Sequence, residues 1–410
     1  MLLCPFEDDH VGHLSPLALT RAVFDLRVGA RTLVEKAAAA FPDAVVVPHT
    51  RAALADVTAE EHPDWETDAP SGPTLFVNGR WLIREGDALD AVRAVVGTDE
   101  ARAFVQDDVL VALWHPDPPA RLTAGDALRL ADVEDTATEV IDNAVLVTHL
   151  WDLIADLGER ITDDLEAMGG LGTHAGTVED GATLFEAGRI FVGEGATIRA
   201  GAVVSAASGP VWIAEGAEVG ENAVLRGPVY LGPKAIVKPT ARVDESAVGY
   251  RSKVGGEVHG SVFHSLSSKG HDGYLGNSYL GRWCNLGADT NTSNLKNDYG
   301  EVTVWDAVAG DFVGSGSQFV GLFLGDHSKC SINTMFNTGT VVGVFCNLYG
   351  SGFPPRHVPS FAWGGADGLV PYRTDTAFRV AEAVMARRDR TLSDAERARL
   401  AEIAQAHGME

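Results

Sequence analysis

From Val192 onward an aliphatic residue returns at every sixth position. It falls at Val192, Ile198 and Val204 and, after a slip at Ser208-Gly209-Pro210, at Ile213, Val219, Leu225, Leu231, Val237 and Val243. The same register resumes at Val254, at Leu280 and Leu286, and again at Leu324, Cys330, Phe336, Val342 and Leu348. Six residues match neither the 3.6 period of a helix nor simple strand alternation. They match a hexapeptide parallel β-helix, in which each coil is three short strands joined by tight bends and the aliphatic residue points inward onto its copies above and below. Glycine follows several of these positions, as in Val192-Gly193, Val219-Gly220 and Leu231-Gly232, and lets the corner turn. Such coils are left-handed, against the usual right-handed crossover rule.

The period lapses between Asp289 and Ser317, where Asn291 to Gly300 is polar enough to predict an extruded loop. Loops that leave a rigid scaffold are common carriers of function. After Phe361-Ala362-Trp363-Gly364-Gly365 the repeat is gone, and Thr374 to Arg388 and Ser393 to Ala406 read as two helices, the second with Ser393 and Glu396 as a capping box.

Ahead of the repeat, apolar runs at Ala44–Val47, Thr74–Leu82 and Val109–Trp114 read as strands, with helical stretches at Ala30–Ala40, Asp87–Val96 and Ala124–Ala131. This order suggests α/β layering. From Thr136 to Met168 the residues Val140, Ala144, Val147, Trp151, Ile154, Leu157, Ile161 and Leu165 recur at three- and four-residue steps, the stripe of one or two amphipathic helices. The expected organisation is an α/β domain over residues 1–140, a linker helix over 141–170, a left-handed parallel β-helix over 171–365 and short carboxyl-terminal helices over 366–410.

Acidic residues number 57 against 32 basic, for a net charge of −25. That balance argues against a nucleic-acid or anionic-membrane partner. Cys4, Cys284, Cys330 and Cys346 form neither a CxxC pair nor a Cys/His cluster, so no disulfide framework and no metal site are expected. The chain meets Glu7, Asp8 and Asp9 at once, without a basic-then-apolar leader, and has no apolar run of spanning length. The expectation is a cytoplasmic enzyme.

Chemistry-bearing residues concentrate in one part of the repeat. Lys269, His271 and Tyr274 precede Asn285, Leu286-Gly287-Ala288 and Thr292-Ser293-Asn294. Gly270-His271-Asp272-Gly273-Tyr274-Leu275-Gly276, together with Asn285, Ala288, Asn294 and Phe312-Val313-Gly314-Ser315, resembles the acetyltransferase half of the bifunctional glucosamine-1-phosphate acetyltransferase/N-acetylglucosamine-1-phosphate uridylyltransferase family. The whole chain resembles the divergent bacterial branch of that family. The resemblance implies that His271 is the catalytic base, that Lys269, Tyr274, Asn285 and Asn294 hold the sugar phosphate, and that Ala288 and Ser315 meet acetyl-CoA. The residue types suit that chemistry, because an amine must be neutral to attack a thioester, and an imidazole, titrating near ~6.5, is a base for neutral pH. The developing oxyanion needs a donor held in place beforehand, such as a backbone amide.

Leu14 to Gly29 is similar to the opening of sugar-1-phosphate nucleotidyltransferases, with Thr20, Arg21, Arg27 and Gly29 in the family's order. That resemblance implies nucleotide binding by Thr20, Arg21 and Arg27, with Mg2+ and a nucleoside triphosphate as cofactors if the domain is active. Ser15-Pro16-Leu17-Ala18-Leu19 replaces the family's glycines, and Asn78-Gly79 stands where the family has a metal-binding Gly-Asp. A neutral carboxamide is a poor magnesium ligand. The leading expectation is therefore N-acetylation of an amino sugar phosphate such as glucosamine 1-phosphate, by a homotrimer. Nucleotidyl transfer, alone or as a second activity, is the alternative, and a non-catalytic trimeric scaffold is the third. The sequence leaves the sugar, the acyl chain and the nucleotide open.

Overall fold

The computed structural model describes residues 1–66 and 68–408. They form two compact units, one of Met1–Leu14, Ala18–Leu26 and Arg31–His149, the other of Ser15–Leu17, Arg27–Ala30 and Leu150–Glu410.

The first unit is built on a six-stranded mixed sheet of β1 (Leu2–Phe6), β2 (Val45–Val46), β3 (Thr74–Asn78), β4 (Arg102–Gln106), β5 (Val109–His115) and β6 (Ala137–Val140), in the order β2-β1-β3-β5-β4-β6. The β1 pairs with β2 and β3 and the β4–β6 pair are parallel, while β5 runs antiparallel to both its neighbours. Strand β3 is buried along its whole length, so both faces are covered and its sequence is a continuous apolar run instead of an alternation. Helix α1 (Leu33–Ala40) starts where the Thr32 and Glu35 side chains cap each other's backbone amides. Helices α2 (Ala55–Glu61) and α3 (Asp87–Val95) follow.

Two expected helices are corrected. Residues 124–131 contain no α-helix: a 3-10 turn at Ala120–Thr123 precedes them and another at Leu130–Val133 takes their end. Asp126 accepts from the distant Ala52 amide, and Asp132 accepts from the Arg129 amide three residues back, the local competition by which aspartate disfavours helix interiors. The 136–168 stripe is α-helical only in α4 (Leu157–Met168), with one 3-10 turn before it at Leu150–Leu153. Its first part is the edge strand β6, where Val140 is 77% exposed, and Asn143 and Asp156 at φ 66° and 47° break any continuous helix. The stripe positions Ala144, Val147, Ile154 and Leu165 are nonetheless buried.

The second unit is the left-handed parallel β-helix. Its strands stack in three columns. The first runs through residues 177–178, 197–198, 218–219, 236–237, 253–254 and 268–269, and continues through 329–330, 347–348 and 362–365. The second runs through residues 183–185, 203–205, 224–226, 242–244, 257–259 and 274–276. The third starts at residues 190–192 and reaches 357–358. Every register position read from the sequence lies in one buried cluster, each side chain contributing about 1.5–3 kcal/mol by leaving water. In that cluster Val204 and Leu225 stack in the second column with Val258 and Leu275, which the sequence reading did not place, and none of the four has exposed surface.

The lapse after Asp289 does hold an extrusion, but it starts later than expected: Asn291–Thr292 still pairs with Met335–Phe336 in the stack. The chain leaves the stack after Asn294 and forms an antiparallel hairpin of Thr303–Asp306 with Asp311–Gly314. It rejoins where Leu295 bridges Phe319 and the Val320 amide donates to the Asn294 carbonyl at 2.9 Å. In the first column Asn285 bridges both Ser268 and Lys329, so the register continues across the excursion. A second hairpin (residues 362–365 with 368–371) and helices α5 (Thr374–Ala386) and α6 (Asp394–His407) close the unit. The Ser393–Glu396 capping box forms as read. All four cysteines are buried and none is in a disulfide, and among the described residues no helix is long and apolar enough to cross a membrane.

Candidate active site

The corner that joins the first and second columns carries His271. The strand ends at Lys269, Gly270 starts the turn, and His271 projects outward, exposed. Its imidazole makes no hydrogen bond to any described residue, so both ring nitrogens face solvent. One turn above, the Asp289 amide donates to the Asp272 carbonyl at 3.1 Å, which sets Ala288 over His271 in the stack. The amides of Leu286, Gly287, Asp289 and Thr290 all donate to carbonyls. The Ala288 amide between them donates to no described group.

Lys269 is corrected from surface phosphate ligand to core residue. It takes an inward position of the first column, paired with Val254, and is 1% exposed. Its ammonium donates to the carbonyls of Gly255 and His271, each at 2.9 Å, and so ties the His271 corner to the coil beneath. Burial pulls its pKa down to about 8, against the charges of Asp272, Asp289 and Cys330.

Tyr274 and Asn294 are brought together. Tyr274 is half-buried on the outer face of the second column, and its amide donates to the Asn291 carboxamide at 2.8 Å. Burial raises its hydroxyl's pKa, opposed by a hydrogen bond with Asn294. A Cβ on Gly276 would lie 2.4 Å from the Tyr274 hydroxyl and 2.7 Å from Asn294 Nδ2, so the pair needs glycine there. Asn294 Nδ2 donates to Asn277 Oδ1 at 2.7 Å. Asn285 lies exposed on the first column. Ser315 stands apart at the end of the extruded hairpin, where its hydroxyl donates to the Val302 carbonyl at 2.7 Å.

Four residues beside Tyr274 escaped the sequence reading. Glu257 is paired directly beneath it, and His259 beneath Gly276. Arg242 and Asp244 lie one rung lower. Asp244 Oδ1 lies 2.8 Å from His259 Nδ1, and Arg242 holds Glu257 at 2.6 Å. The Asp244 hydrogen bond raises the His259 pKa, against partial burial. Projecting the six-residue register onto neighbouring rungs, which lie 15 residues apart for Asp244 and His259, is the signal that finds them.

In the first unit, Asn78 is buried and donates to Asp8 Oδ2 (2.8 Å) and the Leu110 carbonyl (2.9 Å), while its oxygen accepts from the Arg80 amide. Arg80 grips both oxygens of Asp8, at 2.9 and 2.6 Å. Burial opposes the ionisation of Asp8, yet the Arg80, Asn78 and His10 contacts together hold its pKa below the usual range. These groups do not fit a magnesium ion, since every oxygen of the set already has a protein partner. Arg21 is 3% exposed, and its loop is pinned by buried Glu7, which accepts from the Val23 amide and from Arg51. Thr20 is half-buried in that loop. Arg27 belongs to the second unit, where its amide donates to the Tyr279 hydroxyl and its guanidinium lies over Tyr230.

Residues 3–170 match the family described as sugar nucleotidyl transferase. That stretch is similar to a sugar nucleotidyl transferase domain. It is 32% identical over 119 residues to a bifunctional sugar-1-phosphate nucleotidylyltransferase/acetyltransferase from Sulfurisphaera tokodaii, covering 29% of this chain and 28% of that one. It is also 34% identical over 138 residues to the bifunctional protein GlmU of Marinobacter nauticus, covering 32% and 28%. The chain thus spans under a third of the length of these relatives. A solved UDP-N-acetylglucosamine acyltransferase from Bacteroides fragilis covers 57% of this chain and 97% of that one, at 9% identity and a TM-score of 0.27, too little overlap to bear on function. The transferase match runs through α4, past the boundary expected at residue 140.

Proposed function

We propose that the β-helix catalyses transfer of an acetyl group from acetyl-CoA to the amine of a sugar phosphate such as glucosamine 1-phosphate, and that the nucleotidyl transferase domain does not transfer nucleotides. The relatives' names support transferase chemistry on sugar phosphates. The observation that carries the reading is the solvent-facing imidazole of His271 one turn below the undonating amide of Ala288. His271 takes the proton as the amine nitrogen bonds to the thioester carbonyl carbon; the C–S bond then breaks, and His271 returns that proton to the departing thiolate. The Ala288 amide meets the oxyanion without rearrangement, because the rung above and below it is fixed. Tyr274, Asn294 and Asn285 position the sugar. With Lys269 turned inward, the phosphate charge falls to His259 and Arg242 on the Tyr274 face.

The test is thiol release from acetyl-CoA with glucosamine 1-phosphate and a panel of amino sugar phosphates, run with wild type and His271→Ala. Release that needs the amine and falls about 10²–10⁴-fold in the variant is expected. Full activity in His271→Ala removes the histidine from the mechanism, and no release with any amine removes the reaction.

A further inference from the structure

A cavity of about 140 Å³ opens in the second unit where the late rungs of the first column meet α5, lined by His327, Lys329, Phe345, Asn347, Trp363 and Tyr372 among others. Lys329 holds an outward position on its rung, beside Asn347. Its ammonium donates once, to the His327 carbonyl at 2.8 Å. Among the described residues no carboxylate lies within ion-pairing distance of it, in a chain whose acidic residues outnumber the basic ones by 57 to 32. A largely buried ammonium without a counter-charge is costly to keep. Burial draws its pKa down to about 8, and only the Cys284 thiol opposes this.

The walls are flat and held in place. Phe345 stacks on His327 at 4.5 Å, and Trp363 crosses Tyr372 at 4.8 Å. Trp363 Nε1 donates to the Tyr349 hydroxyl at 3.0 Å. The Asn347 carboxamide has no side-chain hydrogen bond to a described residue, so its amide is open to a ligand. A cavity near 150 Å³ accepts a molecule of benzene size.

We propose that this cavity binds a small carboxylate with a flat apolar body, of benzoate size, its carboxylate on the Lys329 ammonium and the Asn347 amide and its ring against the aromatic wall. The proposal stands independently of the acetyl-transfer reading, since neither residue belongs to the His271 corner. One charge-assisted contact and one neutral donor would orient the anion, and the rings would exclude an anion without a flat body.

Calorimetric titration of the full chain with benzoate, benzamide and acetate at pH 7 tests it. Saturable binding of one benzoate per chain is expected, at least about tenfold tighter than either benzamide or acetate. Lys329→Met should abolish it. Asn347→Asp should abolish it too, by placing a carboxylate against the ammonium. Raising the pH to 9.5 gives a test without any variant: benzoate should weaken and benzamide should not. The titratable groups that face Lys329 are His327, Cys346 and Tyr372, with Cys284 behind the rung and Arg379 acting on Tyr372. Absence of saturable benzoate binding overturns the proposal. So does equal binding of benzamide, equal binding of acetate, retention in Lys329→Met, or benzoate affinity unchanged at pH 9.5.

Discussion

Lys269 and His271 are two residues apart, and a strand that continued through both would present them on one face. The strand instead stops at Lys269, and the corner at Gly270 turns the histidine outward while the lysine stays in the core. Sequence adjacency therefore made a substrate ligand of a residue whose ammonium never reaches the surface. Arg27 shows the same limit, since its place in a motif order says nothing of the unit in which it packs. The outward polar residues Asp244, Glu257 and His259 escaped notice because neighbours on a coil face are a whole turn apart in the chain. Inward burial of Lys269 has a thermodynamic signature. Its folded pKa of about 8 lies below the ordinary 10.5, so between these values the unfolded chain binds more protons and stability rises with pH. Comparing wild type with Lys269→Met by thermal unfolding from pH 7 to 11, the wild type should gain on the variant between about pH 8 and 10.5. Parallel curves would mean that the ammonium is not desolvated. Lys269→Met should also lower kcat more than it raises KM, because the His271 carbonyl loses its tether.

At the scale of elements, the β-helix was legible because its period is enforced by stacking: each inward residue meets its own kind one turn away. Leu225, fully buried between Val204 and Val243, is a direct test. Leu225→Ala should cost about 2–5 kcal/mol in denaturant unfolding, as large-to-small changes in rigid cores do. A loss under about 1 kcal/mol would show a column loose enough to collapse around the gap. Caps were legible too, being local chemistry, and Ser393→Ala should cost about 1 kcal/mol and shorten α6 by circular dichroism. The 136–168 stripe misled for a physical reason. Apart from Val140 and Trp151, the apolar residues at three- and four-residue steps are buried in the structure, but an irregular chain that winds across a core gives the same spacing as a helix. Only the left-handed backbone at Asn143 and Asp156 distinguishes the two, and no pattern of hydrophobicity reports it.

For the whole molecule, the two halves of the functional reading part company. The Asp8, Asn78 and Arg80 cluster closes the place where the sequence resemblance puts a metal carboxylate, so uridine triphosphate with a sugar 1-phosphate and magnesium should give no pyrophosphate. Turnover at enzyme-like rates, about 1–10³ per second, would show that another carboxylate serves. The regular β-helix is expected to assemble as a homotrimer, and sedimentation at micromolar protein should give three times the chain mass of 43.4 kDa. A monomer there contradicts it.

The excursion after Asn294 leaves and re-enters the stack at neighbouring points, closed by the Leu295–Phe319 bridge and the Val320 to Asn294 bond, and the rungs on either side keep step as though it were absent. It is in effect a docked cassette: the exposed turn at residues 307–310 can be shortened, grafted or nicked by a protease without re-indexing a single coil. Because Asn294 is itself the hinge of that cassette, a change in the excursion's length or tension is felt first at the hydrogen bonds to Tyr274 and Asn277. The base of the excursion is itself packed, with Val302 and Val304 buried and Trp305 stacked on His357 at 4.0 Å, so the exposed turn beyond Asp306 is the part free to vary.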